Sequence, residues 1–244
     1  MLNWLIGDMG TPGEYMYQPI HWWSTAVVAA ATILAGILGG TKCLSEKQKR
    51  SILFGVCWFQ LGFEVLWRLI YVFIKGDSVL CWWPLYPCNL GGILVPIFAL
   101  TNCIRGKKMF YLFGFVGGVL TFIMPDGIFC TDVMVFPVLK SILQHTGLLI
   151  IPVLEYTSGA FRPNLKDMGW ITGGLLVHLV NCEGITRLLG FTEDYMFLRS
   201  GLPFVIPGVP QIVTLGAFAI AVLALLCILS DWKGSFSKTK VKSK

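Results

Sequence analysis

A cysteine that directly follows a proline stands out among the residues able to do chemistry. Cys88 comes after Pro87, and an apolar run follows it. Proline favours the first position of a helix, so Cys88 is predicted to lie in a first helical turn. Free backbone N–H groups and the positive helix end stabilise a thiolate there, and they can also bind an oxyanion. Cys88 is therefore a candidate nucleophile, with Asn89 beside it.

The best candidate for a general base is His145. Read alone, a histidine on a helix is a hydrogen-bonded packing residue, but a thiol nearby would give it a catalytic role, because cysteine and histidine are a standard nucleophile and base. His178 is the second candidate. Asn181 is expected to orient either imidazole.

Charged residues also lie inside apolar runs. Such residues are costly in a membrane and face a partner or a cavity. Glu64 and Arg68 are spaced i,i+4 with the acid first, which favours an ion pair on one helix face. The pair either holds helices together or belongs to a polar binding site, to which Glu183 would also contribute.

The elements that must position these residues are membrane helices. With 55% hydrophobic and 13% charged residues and a mean hydropathy of +0.72, the chain is too apolar for a water-soluble surface. Its apolar runs approach the roughly 20 residues that span a bilayer, and isolated strands would leave their backbone unpaired in lipid. We therefore predict an all-α bundle of seven transmembrane helices, at about 19–41, 50–74, 86–104, 109–124, 136–156, 168–189 and 205–230.

The distribution of Lys and Arg predicts the orientation, because cytoplasmic connections accumulate them. Of the 19, 14 lie in loops one, three and five and the C-terminal tail, and 4, including Lys140, lie on the opposite side, with Arg68 inside a span. The N-terminus is thus expected outside the cytoplasm and the C-terminus inside. Residues 1–232 form one domain and 233–244 a basic cytoplasmic tail. Topology explains the net charge of +6, so no nucleic-acid partner is expected.

Two of the seven other cysteines predict a disulfide, and none of the cysteines predicts a metal site. Cys81 and Cys130 both fall in outer loops, where an oxidising compartment would permit a bond between them. No His or Cys cluster has the spacing of metal ligands, and no phosphate-binding loop is present. Neither a metal nor another cofactor is expected.

Four short segments, in order, resemble the bacterial YwaF-like integral membrane proteins, which are grouped with the animal transmembrane protein 164 family of ether-lipid acyltransferases. They are residues 84–90, 114–126, 144–147 and 194–199, the last followed by Pro203. The resemblance implies a seven-helix fold in which Cys88 carries a transient acyl thioester and His145 assists. Tyr86 stands where many relatives have histidine, and the single His145 stands where some have two.

The first functional hypothesis is an acyltransferase or transacylase of the cell membrane that acts on membrane phospholipids through Cys88 and His145. With water as acceptor, the same groups would make a lipase. An alternative is a carrier or sensor of a lipid or small amphiphile that uses Glu64, Arg68, His145 and Glu183 without covalent chemistry. A third reading makes the polar residues a purely structural link between helices.

Overall fold

The computed structural model describes residues 4–5, 14–76, 78–125, 128–196, 198, 206 and 208–241, without the side chains of 79, 81 and 232–241. Within these residues the chain forms seven α-helices and no strand. The helices are α1 (Pro19–Gly40), α2 (Glu46–Ile70), α3 (Pro87–Leu100), α4 (Ile104–Ile123), α5 (Phe136–Ser158), α6 (Met168–Leu179) and α7 (Gln211–Val241). A wider π-helical turn extends α2 through Tyr71–Lys75, and α6 continues through Val180–Ile185 and a last α-turn at Thr186–Leu188.

In the described part of the chain, five helical segments are long and apolar enough to cross a membrane by length and composition: Pro19–Gly40, Glu46–Lys75, Ile104–Ile123, Phe136–Ser158 and Gln211–Asp231. They confirm the prediction of an all-helical membrane protein. Each of the seven predicted spans coincides with a helix. α3 is shorter, at 14 residues, and α6 becomes long only through its π-helical continuation. The last helix also continues into the segment predicted as a basic tail.

Local sequence explains where the helices begin. Pro19, Pro87 and Pro137 lie in the first positions of α1, α3 and α5, where the missing N–H costs no hydrogen bond. α2 begins with a capping box, in which Ser45 and Gln48 satisfy each other's backbone N–H groups. The expected first-turn position of Cys88 is therefore confirmed.

Helix α5 lies at the centre of the bundle and packs against α1, α2, α3 and α4. On the other side of α4 lies α6, which in turn contacts α7. Glycines permit close approaches: a Cβ atom added to Gly174 of α6 would collide with the Met109 backbone of α4, and one added to Gly118 would lie 3.0 Å from Leu149 of α5. This packing brings α2, α3 and α5 together around the first turn of α3.

Candidate functional site

Cys88 is partly buried in the first turn of α3. The N–H groups of Asn89 and Leu90 donate to the Tyr86 carbonyl at 3.0 and 3.1 Å. The Cys88 N–H has no acceptor in any other described residue. The sequence predicted that several N–H groups of the first turn could bind an oxyanion. Among the described residues, the N–H of Cys88 itself is the one that remains for this role.

The side chain of Gln144 connects α5 to this turn. Its Nε2 donates to the Cys88 carbonyl at 2.6 Å and to Asn89 Oδ1 at 3.0 Å. Asn89 Oδ1 also accepts from the Cys88 thiol, with Sγ 3.9 Å away. Gln144 reaches across α3 because residue 92 is glycine: a Cβ there would lie 2.8 Å from Gln144 Nε2. Asn89 and Gln144 together fix the backbone that carries the thiol.

Lys140 adds a positive charge to the same group. It lies within α5, 5% exposed, and not in an outer loop, which corrects its assignment from the sequence. Its Nζ donates to Gln144 Oε1 at 2.5 Å and to Asn89 Oδ1 at 3.1 Å. The ammonium also lies 5.5 Å from the centre of the Trp67 ring, at cation–π distance.

The predicted ion pair of α2 completes the cluster. Arg68 Nη1 donates to Glu64 Oε2 at 2.5 Å and to the Glu64 carbonyl at 2.9 Å, and Nε donates to the Trp82 carbonyl at 3.2 Å. The other carboxylate oxygen, Oε1, lies 3.5 Å from Lys140 Nζ. Glu64 is therefore shared by two cations. We call Glu64, Arg68, Asn89, Lys140 and Gln144 the charged cluster.

Asn181 holds the segment that leads to Cys88. Its Oδ1 accepts from Trp83 Nε1 at 2.8 Å, and its Nδ2 donates to the Pro84 carbonyl at 2.6 Å. These contacts connect α6 to the approach to α3. They take the place of the expected contact with an imidazole.

His145 lies on α5 next to Gln144, but its contacts are with other groups. Nδ1 donates to the Ser141 carbonyl at 2.7 Å, and the ring packs edge-on against Phe122 of α4. A carbonyl can only accept, so the proton is on Nδ1 and Nε2 keeps the lone pair of a base. No hydrogen bond joins His145 to Cys88, two residues that are both described.

His178 lies apart from the charged cluster, between aromatic rings. It is 1% exposed, and its ring centre is 4.4 Å from that of Phe113 and 5.3 Å from that of Phe110. Neither ring nitrogen has a hydrogen-bond partner among the described residues. Its surroundings are those of an apolar packing residue.

The other predicted residues lie elsewhere. Glu183 accepts from Arg187 Nε at 2.9 Å within the continuation of α6. The disulfide between Cys81 and Cys130 stays a prediction, because the side chain of Cys81 lies outside the described ones, while Cys130 is buried. Among the described residues no group of three His, Cys, Asp or Glu side chains is arranged to hold a metal ion.

A second buried ion pair lies away from Cys88. Lys107, predicted in a cytoplasmic loop, is in the first turn of α4, 1% exposed, and its Nζ donates to Glu155 Oε1 at 2.7 Å. It also donates to Asn102 at 2.7 Å. The pair joins the start of α4 to the end of α5.

An apolar cavity of about 340 Å³ lies between α4, α5 and α7. Tyr111, Pro152 and Tyr156 line one side of it, and Leu226, Leu229 and Ser230 line the other. Neither Cys88 nor any member of the charged cluster lines it.

Lys140 and Gln144 are site residues that were not predicted from the sequence. Their spacing is a usable signal: Lys140 and Gln144 are i,i+4 on one face of a helix, as are Glu64 and Arg68. Lys140 lies only four residues after the start of an apolar run, and it was therefore counted with the outer loops.

The comparisons with known proteins identify one family. The family model described as the TMEM164 family matches residues 16–230, which include every element of the site. Neither a curated protein nor a solved structure matches the chain.

Proposed function

This chain belongs to the TMEM164 family, and we propose from this premise that it is an intramembrane acyltransferase or transacylase. It would move a fatty acyl chain from a phospholipid to a lysolipid or another hydroxyl acceptor through a thioester on Cys88. The chain also resembles the bacterial YwaF-like proteins in the segments around Cys88 and His145.

In the first half-reaction, His145 Nε2 takes the thiol proton and the Cys88 thiolate attacks the ester carbonyl carbon. The C–S bond forms, the ester C–O bond breaks, and the leaving alkoxide takes the proton from His145. In the second half-reaction, the acceptor hydroxyl gives its proton to His145 and its oxygen attacks the thioester carbon. The new ester C–O bond forms, the C–S bond breaks, and the Cys88 thiolate takes the proton back from His145. With water as acceptor, the product is a free fatty acid.

The observation that carries this proposal is the environment of Cys88. The thiol lies at the positive end of α3, beside an N–H without an acceptor and one residue from the Asn89 oxygen that Lys140 contacts. Positive charge and backbone N–H groups stabilise both the thiolate and the tetrahedral oxyanion. His145 supplies the base once its Nε2 reaches the thiol directly or through a water molecule.

We further propose that seven segments, each containing one of the helices, cross the plasma membrane as one domain, residues 1–232, with the N-terminus outside and the basic C-terminal segment inside. The surplus of Lys and Arg in alternate connections supports this orientation. Cys88 and the charged cluster would then lie in the outer half of the bilayer and meet outer-leaflet lipid.

The second candidate function is a carrier or sensor of a lipid or small amphiphile. Two observations favour it: Cys88 and His145 share no hydrogen bond, and the 340 Å³ cavity offers apolar volume away from Cys88. Under this hypothesis the charged cluster binds a polar headgroup and Cys88 is dispensable.

The deciding experiment incubates purified protein with phospholipid labelled in its acyl chains. We expect a protein-bound acyl group that hydroxylamine removes and that Cys88→Ala abolishes. Cys103→Ala is the matched control, because Cys103 is an exposed thiol and a non-specific acyl acceptor would be found there. An adduct that survives in Cys88→Ala and is lost in Cys103→Ala would refute thioester catalysis, as would transfer activity that persists in Cys88→Ala.

A further inference from the structure

The charged cluster contains two cations and one carboxylate. Glu64, Arg68 and Lys140 are 3%, 7% and 5% exposed. In the part of the chain that the structure describes, Glu64 is the one carboxylate within ion-pair distance of either cation. Glu183, on the continuation of α6, forms an ion pair with Arg187. The cluster therefore has an excess of one positive charge.

An uncompensated buried charge is costly, so either a bound anion or the loss of a proton from Lys140 must relieve the excess. Lys140 Nζ donates hydrogen bonds to Gln144 and Asn89, and Glu64 Oε1 faces it at ion-pair distance, 3.5 Å, without a hydrogen bond. An ammonium has three N–H donors and no acceptor, so this environment matches its charged form. The structure favours an anion as the missing partner.

Two donors remain for such an anion. Arg68 Nη2 has no acceptor among the described residues, although the rest of the guanidinium is fully engaged. The second donor is the Cys88 N–H at the positive end of α3, a position that favours anions. Arginine together with a helix N-terminus is a common way to bind phosphate.

We propose that the charged cluster is a binding site for a phosphate group, which the headgroup of a phospholipid supplies. The choice of lipid rests on the proposed function, whereas the phosphate site rests on the charges and the two donors. A phosphodiester here would place the glycerol esters of the same lipid close to Cys88.

The test uses the full chain carrying Cys88→Ala, which cannot form a thioester, so its outcome is independent of the acyl-adduct experiment. Binding in detergent is measured by native mass spectrometry with palmitoyl-oleoyl phosphatidylglycerol and with palmitoyl-oleoyl glycerol, which has the same chains and no phosphate. Glycerol 3-phosphate and inorganic phosphate form a third arm. We expect the phospholipid to bind at least tenfold more tightly than the diacylglycerol.

Two substitutions in this background change the cluster charge in opposite directions. Lys140→Gln should weaken phospholipid binding about 10- to 100-fold, as expected for loss of a charged partner, and Glu64→Gln should tighten it. Lys166→Gln, at an exposed position, removes the same charge elsewhere and should leave binding unchanged. If Lys140→Gln does not fold, Glu64→Gln still tests the charge dependence.

Equal binding of phospholipid and diacylglycerol would overturn the proposal, and so would binding that neither cluster substitution changes. Tight binding of free phosphate with the same charge dependence would support the phosphate site and assign it to a soluble ligand. An acyl adduct without a phosphate preference would reject this inference alone. A phosphate preference without an adduct would reject the proposed chemistry alone.

Discussion

The Lys140 ammonium lies 3.1 Å from the side-chain oxygen of Asn89, the atom that also faces the Cys88 thiol. One amide oxygen thus contacts both a buried cation on α5 and the candidate nucleophile on α3. Through it, a charge on one helix influences the chemistry of another.

Replacement of Asn89 should reveal this shared role. Asn89→Ala removes an acceptor from Lys140 and from Gln144, and we expect the free energy of unfolding to fall by about 1–3 kcal/mol. Asn89→Asp keeps the oxygen and adds a negative charge, so it should retain the stability of the native protein and weaken phospholipid binding. Thermal unfolding in detergent measures the first effect. An unchanged melting temperature in Asn89→Ala would show that the contacts contribute nothing.

Two of the three buried histidines, His145 and His178, should differ in function. His145→Gln should lower the rate of acyl-adduct formation by about 10²- to 10⁴-fold, the usual contribution of a general base. His178→Phe should preserve that rate. It should also raise the free energy of unfolding by about 1 kcal/mol, because it removes two buried nitrogens without partners. If His178→Phe lost the adduct and His145→Gln kept it, His178 would be the general base and His145 the packing residue.

Gly92 should be required for activity although it carries no side chain. In Gly92→Ala the new methyl group displaces Gln144 from the Cys88 carbonyl, and we expect adduct formation to slow by up to about 100-fold, since displacements near 1 Å have effects of that size. Gly117→Ala is the control, because nothing lies within 4 Å of its added Cβ atom. Equal rates for the two variants would remove Gln144 from the list of positioning residues.

The buried pair of Lys107 and Glu155 should stabilise the bundle rather than take part in catalysis. Glu155→Gln or Lys107→Met leaves an unpaired buried charge and should cost about 3–5 kcal/mol in the free energy of unfolding. The double variant should recover part of this loss. Glu46→Gln breaks the pair between the exposed Glu46 carboxylate and the partly buried Lys49, and it should cost less than about 1 kcal/mol. If the single variants were as stable as Glu46→Gln, the buried pair would not stabilise the bundle.

The sequence predicted the helices well because hydropathy and length constrain membrane segments strongly. Proline at residue 87 was sufficient to predict the first-turn position of Cys88, and i,i+4 spacing was sufficient to predict the pair of Glu64 and Arg68. Contacts between helices were harder to predict. Whether His145 or Gln144 faces α3 depends on the rotation of α5 about its axis, which hydropathy does not determine.

Buried lysines were the other difficulty. Lys107 and Lys140 lie close to the ends of apolar runs, where lysine is also common in connections exposed to water. Partners distant in the sequence decide between the two environments: Glu155 for Lys107, and Glu64 for Lys140. A pattern confined to one segment contains no information about such partners.

The shortness of α3 sets the depth at which the proposed reaction would take place. Its 14 residues extend about 21 Å, whereas the hydrocarbon layer is about 30 Å thick. A tight turn joins α3 to α4, so the end of α3 and the start of α4 lie at the same level. Because α4 has 20 residues, the opposite end of α3, which carries Cys88, stops short of the level that the end of α4 reaches. Cys88 would thus lie below the membrane surface, where a lipid's ester bonds can reach it and bulk water is scarce. Such a depth favours an alcohol carried by another lipid over water as the acyl acceptor.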